Sequence, residues 1–192
     1  MVDITKFYKF NVIDTCSIWN VLSSKLYYQT TLAARCEFSC TKFVIYECLF
    51  KPRKSISPAE VELQERLKKE QAKGYFRQYP IDIEDLQDID VLTKRKNLSK
   101  GELSSMVFAK KTNQGFLTDD QGARKLASYF MAPEKVQTTP HLIGWLVFNE
   151  FLNDAEIERI LTEHESLKRP LRKNYLDVFM KAMEYRLLKR AE

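Results

Sequence analysis

Apolar runs that close on carboxylates constrain this chain more than any other feature. Val12-Ile13-Asp14-Thr15, Val44-Ile45-Tyr46-Glu47, Lys100-Gly101-Glu102-Leu103 and Phe116-Leu117-Thr118-Asp119-Asp120 each stand where a strand-like stretch passes into a helix. In an open parallel sheet the carboxyl ends of the strands share one edge, and ligands bind in the crevice there. Acids far apart in sequence can therefore meet in space. Like charges raise one another's pKa, so such a cluster calls for a neutralising cation. Oxygen-only donors suit Mg²⁺ or Mn²⁺. The chemistry this implies is metal-dependent cleavage of a phosphodiester.

The rest of the chain supplies the alternation that such a sheet needs. Residues 7–13 are aromatic and β-branched and read as a buried strand. Residues 18–34 read as one helix, 37–42 as a short extended passage, and 43–50 as a helix carrying Glu47. Ser57-Pro58-Ala59-Glu60 combines an N-cap, a proline at the first helical position and a capping-box glutamate. The helix it opens stops at Gly74. Residues 75–83 read as a second parallel strand and 85–93 as a short helix. Ser99-Lys100-Gly101-Glu102 is another capping box, and Leu103, Met106 and Val107 follow at helical spacing. Residues 115–118 form a short strand, 121–131 a helix with Ala123, Leu126, Ala127 and Phe130 on one face, and 136–139 an edge strand. Beyond Pro140 three helices are expected, over 141–152, 155–165 and 171–190. The fold class is α/β, with three α/β/α layers around a parallel sheet of about four to five strands. Residues 1–150 make the main domain, and 151–192 a helical basic extension of it.

Composition narrows the chemistry further. Only two histidines are present, and His164 stands in a polar run that reads as an exposed helix. An imidazole pair or a histidine-rich zinc site is thus disfavoured, leaving the work to carboxylates. Cys16, Cys36, Cys40 and Cys48 match no zinc spacing and read as reduced core thiols. The formal net charge is +5, and residues 168–192 carry eight bases against three acids, the whole excess. A basic tail beside an acidic cluster suits a polyanionic substrate, although a solvated mixed-charge helix would read the same way. The start of the chain lacks a signal-peptide pattern, and the apolar stretch over 141–152 is too short to span a bilayer. A cytoplasmic protein without a membrane partner is expected. Five dispersed glycines form no phosphate-cradling loop, and a haloacid-dehalogenase-type phosphatase would need an aspartate where Cys16 stands.

Asp14-Thr15, Val44-x-x-Glu47, Gly101-Glu102 and Leu117-Thr118-Asp119-Asp120, in this order, resemble the PIN-domain nucleases, which include bacterial toxin ribonucleases and RNA-processing enzymes. Gly101-Glu102 with the run from Leu117 to Arg124 is most similar to the branch with a Gly-Glu third motif. The commoner pattern has aspartate where Glu102 stands, and the segment between Glu47 and Glu102 is long for a compact toxin. The resemblance covers about residues 7–150. It implies an endoribonuclease with catalytic acids Asp14, Glu47, Glu102, Asp119 and Asp120. Of these, Asp14, Glu102 and Asp120 would hold Mg²⁺ or Mn²⁺. Thr15, Thr118 and Arg124 would support the ligands or a phosphate, while Arg172, Lys173, Arg186, Lys189 and Arg190 would hold RNA. Expected partners are an RNA substrate, an antitoxin protein and a second copy of the chain. Each acid also has a plainer reading. Asp14, Asp119 or Asp120 could cap a helix, Glu102 completes a capping box, and Glu47 could be solvated. The rival function is a nuclease-like RNA-binding or assembly module with weak or lost catalysis.

Overall fold

The computed structural model describes residues 3–82, 85 and 98–191. Five parallel strands make one sheet: β1 (Phe10–Ile13), β2 (Glu37–Thr41), β3 (Arg77–Tyr79), β4 (Gly115–Leu117) and β5 (Val136–Gln137). Their order is β3-β2-β1-β4-β5. From the central β1 the chain first builds outward through β2 and β3, then returns to add β4 and β5 on the other side. The order therefore reverses between β1 and β4, where Ile13 pairs with Leu117. The extended passage over 37–42 is thus β1's neighbour, and the expected second strand is a three-residue edge. The helix expected over 85–93 lies, apart from Asp85, outside the described residues.

Helices cover both faces. On one side lie α1 (Thr15–Leu22), α2 (Lys25–Ala33), α4 (Pro58–Ala72), α7 (Thr139–Phe148), α8 (Asp154–Ser166) and α9 (Arg172–Ala191). On the other lie α5 (Lys100–Thr112) and α6 (Gln121–Ala127). Between these groups α3 (Lys42–Ile45) continues into a single π turn, Tyr46–Phe50. The strand period of two separates the layers. Val12 and Phe116 pack with Leu103, Met106 and Val107, while Ile13 and Leu117 belong to the larger core with Ile18, Leu142 and Leu146. Among the described residues no helix is long and apolar enough to cross a membrane.

Several expectations are corrected. The helix expected over 18–34 is two helices. Ser24 takes extended backbone and caps Tyr27 N, while the Ser23 hydroxyl turns back to Asn20 O at 2.6 Å. No glycine or proline marks this break. The helix expected over 121–131 ends at Ala127, which leaves Phe130 in the following turns and 36% exposed. His164 is fully buried, because Ile157, Ile160, Leu161 and His164 share the inner face of α8. Helix α9 packs along α7 and α8 and buries Tyr175 and Ala182. The four cysteines are free thiols, with Cys36, Cys40 and Cys48 buried.

Candidate functional site

The reversal between β1 and β4 places Asp14 and the Thr118-Asp119-Asp120 turn side by side at the carboxyl edge of the sheet. Asp14 caps α1, its Oδ1 accepting from Ser17 N at 2.8 Å. Its Oδ2 accepts from Thr118 Oγ1 at 2.5 Å, and the same hydroxyl oxygen accepts from Asp120 N at 3.2 Å. Asp14 is only 1% exposed. Burial pushes its carboxyl up to about 7, against the pull of the Thr118 and Ser17 hydrogen bonds and with a further push from Asp119.

Asp119 is occupied on both oxygens. Oδ2 accepts from Asn20 Nδ2 at 2.7 Å, Thr139 Oγ1 at 2.7 Å and Ser17 Oγ at 3.3 Å, and Oδ1 accepts from Thr139 N at 2.9 Å. The carboxylate ties α1, the β4 turn and the start of α7 together. Asp120 behaves differently. Its Oδ1 caps α6 at Ala123 N, 2.7 Å away, and its other oxygen has no partner among the described residues.

Glu47 and Glu102 approach from the helices beyond β2 and before β4. Glu47 sits in the π turn, a distortion frequent at functional sites. Its Oε1 accepts from Gly101 N at 3.1 Å and its Oε2 from Thr15 Oγ1 at 2.9 Å and Ser99 Oγ at 3.4 Å. Gly101 is a glycine for a steric reason: a Cβ there would overlap the Glu47 carboxylate. Glu102 completes the capping box, its Oε2 accepting from Ser99 N at 2.7 Å. Half-burial raises its pKa against that hydrogen bond, and the charges of Asp120 and Glu47 raise it further. Shared partners thus join Asp14 to Asp119 and Asp120 at one end and Glu102 to Glu47 at the other, and the charge of Asp120 is felt at Glu102. Even so, among the described residues no three His, Cys, Asp or Glu side chains are arranged to hold an ion between them.

Thr15 and Thr118 each donate to a carboxylate, Glu47 and Asp14 respectively. Arg124 points its guanidinium at the backbone, donating to Asp119 O at 2.6 Å and Thr118 O at 3.5 Å, and so braces the acidic turn. Cys16 sits beside the acids, yet burial pushes its thiol up to about 11, with Asp14 and Asp119 pushing the same way. It is no thiolate nucleophile near neutral pH.

The expected basic face of α9 is only partly a free surface. Arg172 pairs with Glu165 at 2.8 Å and Glu158 at 3.3 Å. Arg186, expected to hold RNA, is instead 19% exposed and docked on the end of α7, donating to Glu150 at 2.8 Å and Val147 O at 3.4 Å. Carbonyls at a helix C-terminus attract such a cation. Lys189 lies over the Phe148 ring at 5.4 Å. Lys173 is exposed, and the Arg190 side chain lies outside the described residues. Arg186 and Lys189 stand at the far end of α7 from Thr139, roughly 15 Å away for ten helical residues. They cannot share a phosphate with the acidic edge.

Sequence reasoning missed Ser17, Asn20, Thr139 and Arg169. Ser17 and Asn20 follow Asp14 at intervals of three, one face of α1, and both are buried. That spacing was the available signal. Arg169 donates to Asn20 Oδ1 at 2.8 Å and to Cys16 Sγ at 3.7 Å, setting a cation beside the acids. No family model, curated protein or solved structure matches this chain.

Proposed function

We propose that this chain is a divalent-cation-dependent ribonuclease working at the acidic edge between β1 and β4. The observation that carries the reading is that Asp14 and the Asp119-Asp120 turn flank the point where strand order reverses, with Glu47 and Glu102 brought to the same edge. That point is where open α/β sheets bind ligands. The ordered motifs shared with PIN-domain nucleases support the same reading.

The donor set fits a hard cation by its chemistry, since every candidate ligand is a carboxylate. Glu102 and Asp120 each keep one oxygen without a partner among the described residues, and Asp14 connects to Asp120 through Thr118. Mg²⁺ is commonly held by one or two carboxylates, with water and substrate phosphate completing the shell. Glu102 and Asp120 would therefore hold Mg²⁺ or Mn²⁺ without a closed protein cage, while Asp14, expected as a ligand, has both oxygens occupied and would act on the ion only through Thr118 and Asp120. When bound, the ion would supply Lewis acidity towards a phosphoryl oxygen and a lowered pKa for coordinated water. The protein's own part is positioning. Glu47 fixes Gly101 and with it the start of α5, which carries Glu102. Asp119 locks α1 and α7 to the acidic turn, and Arg124 braces that turn from behind.

Purified protein should cleave RNA with Mg²⁺ or Mn²⁺ and stop in EDTA. Asp120→Asn and Glu102→Gln should each lower the rate at least 100-fold while leaving the circular dichroism unchanged. Unaltered rates in both variants would remove the acidic edge from the chemistry. Among the described residues no three acids are arranged around one ion, which suits the second reading, a nuclease-like RNA-binding or assembly module with weak or lost catalysis. RNA binding without cation-dependent cleavage would select it. The resemblance further implies a toxin held by an antitoxin. Co-purification with the product of a short neighbouring gene tests that partner.

A further inference from the structure

A cavity of about 760 Å³ opens beside the acidic edge, sharing Glu47 and Ser99 with it. Lys42, Lys51 and Lys100 line it, all exposed and without an ion pair among the described residues. Its remaining wall is apolar, with Tyr46 50% exposed, Phe43 half-buried and Ile81 at the rim. Local structure explains this combination. Lys42 and Lys100 are the first residues of α3 and α5. Tyr46 and Glu47 are neighbours in the π turn, so Tyr46 faces outward while Glu47 reaches back to Gly101 and Thr15.

Three uncompensated cations around an aromatic wall match one ligand chemistry, a phosphate chain with a free base. An ordinary cation site is disfavoured, because three lysines face the single carboxylate of Glu47, which is already held by Thr15, Ser99 and Gly101. A purely apolar ligand would leave three ammonium groups at the rim without a partner. The volume lies within the roughly 300–1,000 Å³ usual for ligand sites. A paired base cannot offer its face to a side chain, whereas an unpaired one stacks on an aromatic ring, and cations track the backbone beside it. We infer that this cavity seats one nucleotide of single-stranded RNA, its base on Tyr46 and its flanking phosphates on Lys42, Lys51 and Lys100. The backbone then runs past Glu47 onto the acidic edge. This assignment rests on the nuclease reading for the identity of the substrate, but its test does not require cleavage.

The experiment is fluorescence anisotropy of a labelled single-stranded oligouridylate in EDTA over a salt series. Tyr46→Ala should weaken binding roughly ten-fold, and Tyr46→Phe should restore it, since the ring and not the hydroxyl carries stacking. Combined replacement of Lys42, Lys51 and Lys100 by Ala should flatten the slope of log K against log salt by about 2, at roughly 0.7 per phosphate contact. Urea midpoints equal to wild type would show that the variants are folded. Wild-type slope and affinity in both folded variants would overturn the assignment. So would failure of wild type to bind the oligonucleotide, or displacement of the RNA by oligoglutamate with equal potency in wild type and Tyr46→Ala. Hydrolysis assayed separately with Mg²⁺ distinguishes the two proposals. Pocket-dependent binding without any hydrolysis would overturn the catalytic reading and uphold the pocket. Hydrolysis with a KM that neither variant changes would do the reverse.

Discussion

His164 offers a sharp test of the packing, because the fold needs it neutral. Its Nε2 accepts from Leu171 N at 3.2 Å, so the ring proton is on Nδ1, 2.7 Å from Ser23 Oγ. The Ser23 hydroxyl passes its own proton to Asn20 O. A second proton on Nε2 would set two donors against each other inside a core that excludes water. Burial pushes the imidazole down to about 3 from its ordinary 6.5, and the Arg169 charge adds to the push. The unfolded chain therefore takes up a proton below pH 6.5 that the folded chain refuses. Stability from this group is fully present above pH 6.5 and falls as pH drops towards 3. The slope is about 1.4 kcal/mol per pH unit. Between pH 6.5 and 5.0 the loss is about 2 kcal/mol. Asp14, Glu102 and His141 also titrate abnormally, so wild type alone will not display this slope. The difference between wild type and His164→Gln cancels those contributions. Urea unfolding in EDTA at intervals across this window should show the advantage of wild type shrinking by about 2 kcal/mol. An advantage constant to within about 0.5 kcal/mol would mean that His164 titrates as a solvated imidazole, and the buried network would be refuted.

Asp14 should show the opposite sign. Its folded pKa lies above the unfolded 3.8, so its contribution is complete below about pH 4 and lost as pH rises to about 7. Relative to Asp14→Asn, wild type in EDTA should lose about 2.3 kcal/mol between pH 5 and 7, read from urea midpoints and m-values. Gly101→Ala should leave stability within about 1 kcal/mol, because the gain in helix propensity offsets the crowding. Cleavage should nonetheless fall, as Glu47 is pushed off Gly101 N, and a variant as active as wild type would remove Glu47 from the site. The adjacent aspartates should part company. Asp119→Asn should cost about 2–3 kcal/mol in urea unfolding, since donors built for a carboxylate meet an amide, whereas Asp120→Asn keeps its cap and should raise cation-free stability by about 0.5–2 kcal/mol.

Much of this was legible because capping and strand chemistry are local. Ser57 with Glu60 and Ser99 with Glu102 form the capping boxes that their spacing announces, and the edge strand expected over 136–139 forms at Val136–Gln137. What escaped depended on tertiary partners. Nothing in Glu37-Phe38-Ser39-Cys40-Thr41 distinguishes a strand beside β1 from any extended passage, since its pairing is decided by Lys9 and Asn11 far away in sequence. His164 reads as exposed because the polar residues around it outweigh a spacing of seven, four and three from Ile157, Ile160 and Leu161 that places it inward. The acids themselves were visible one by one. Their division of labour was not, because Asp119 and Asp120 are neighbours with identical chemistry. Only Thr139, Asn20 and Ser17, from two other helices, make the first a structural group.

The same division explains how the fold tolerates five acids at one edge. Each is handled by a different device. Asp14 is buried far enough to hold its proton until about pH 7, so it adds little negative charge under mildly acidic conditions. Asp119 accepts four hydrogen bonds, with the Arg169 guanidinium on the far side of Asn20. Glu47 is met by the backbone N–H of Gly101 at the start of α5, where the helix dipole favours an anion. That leaves Glu102 and Asp120, each holding a helix cap with one oxygen and presenting the other. Half-burial raises the pKa of Glu102, and the charges of Asp120 and Glu47 raise it further, so the remaining oxygens meet at a crowded edge. A helix cap uses only one oxygen of its carboxylate, so the second is left for whatever the edge receives. On the proposed reading, a cation and the phosphates of a polyanion held by the neighbouring lysines would meet those oxygens.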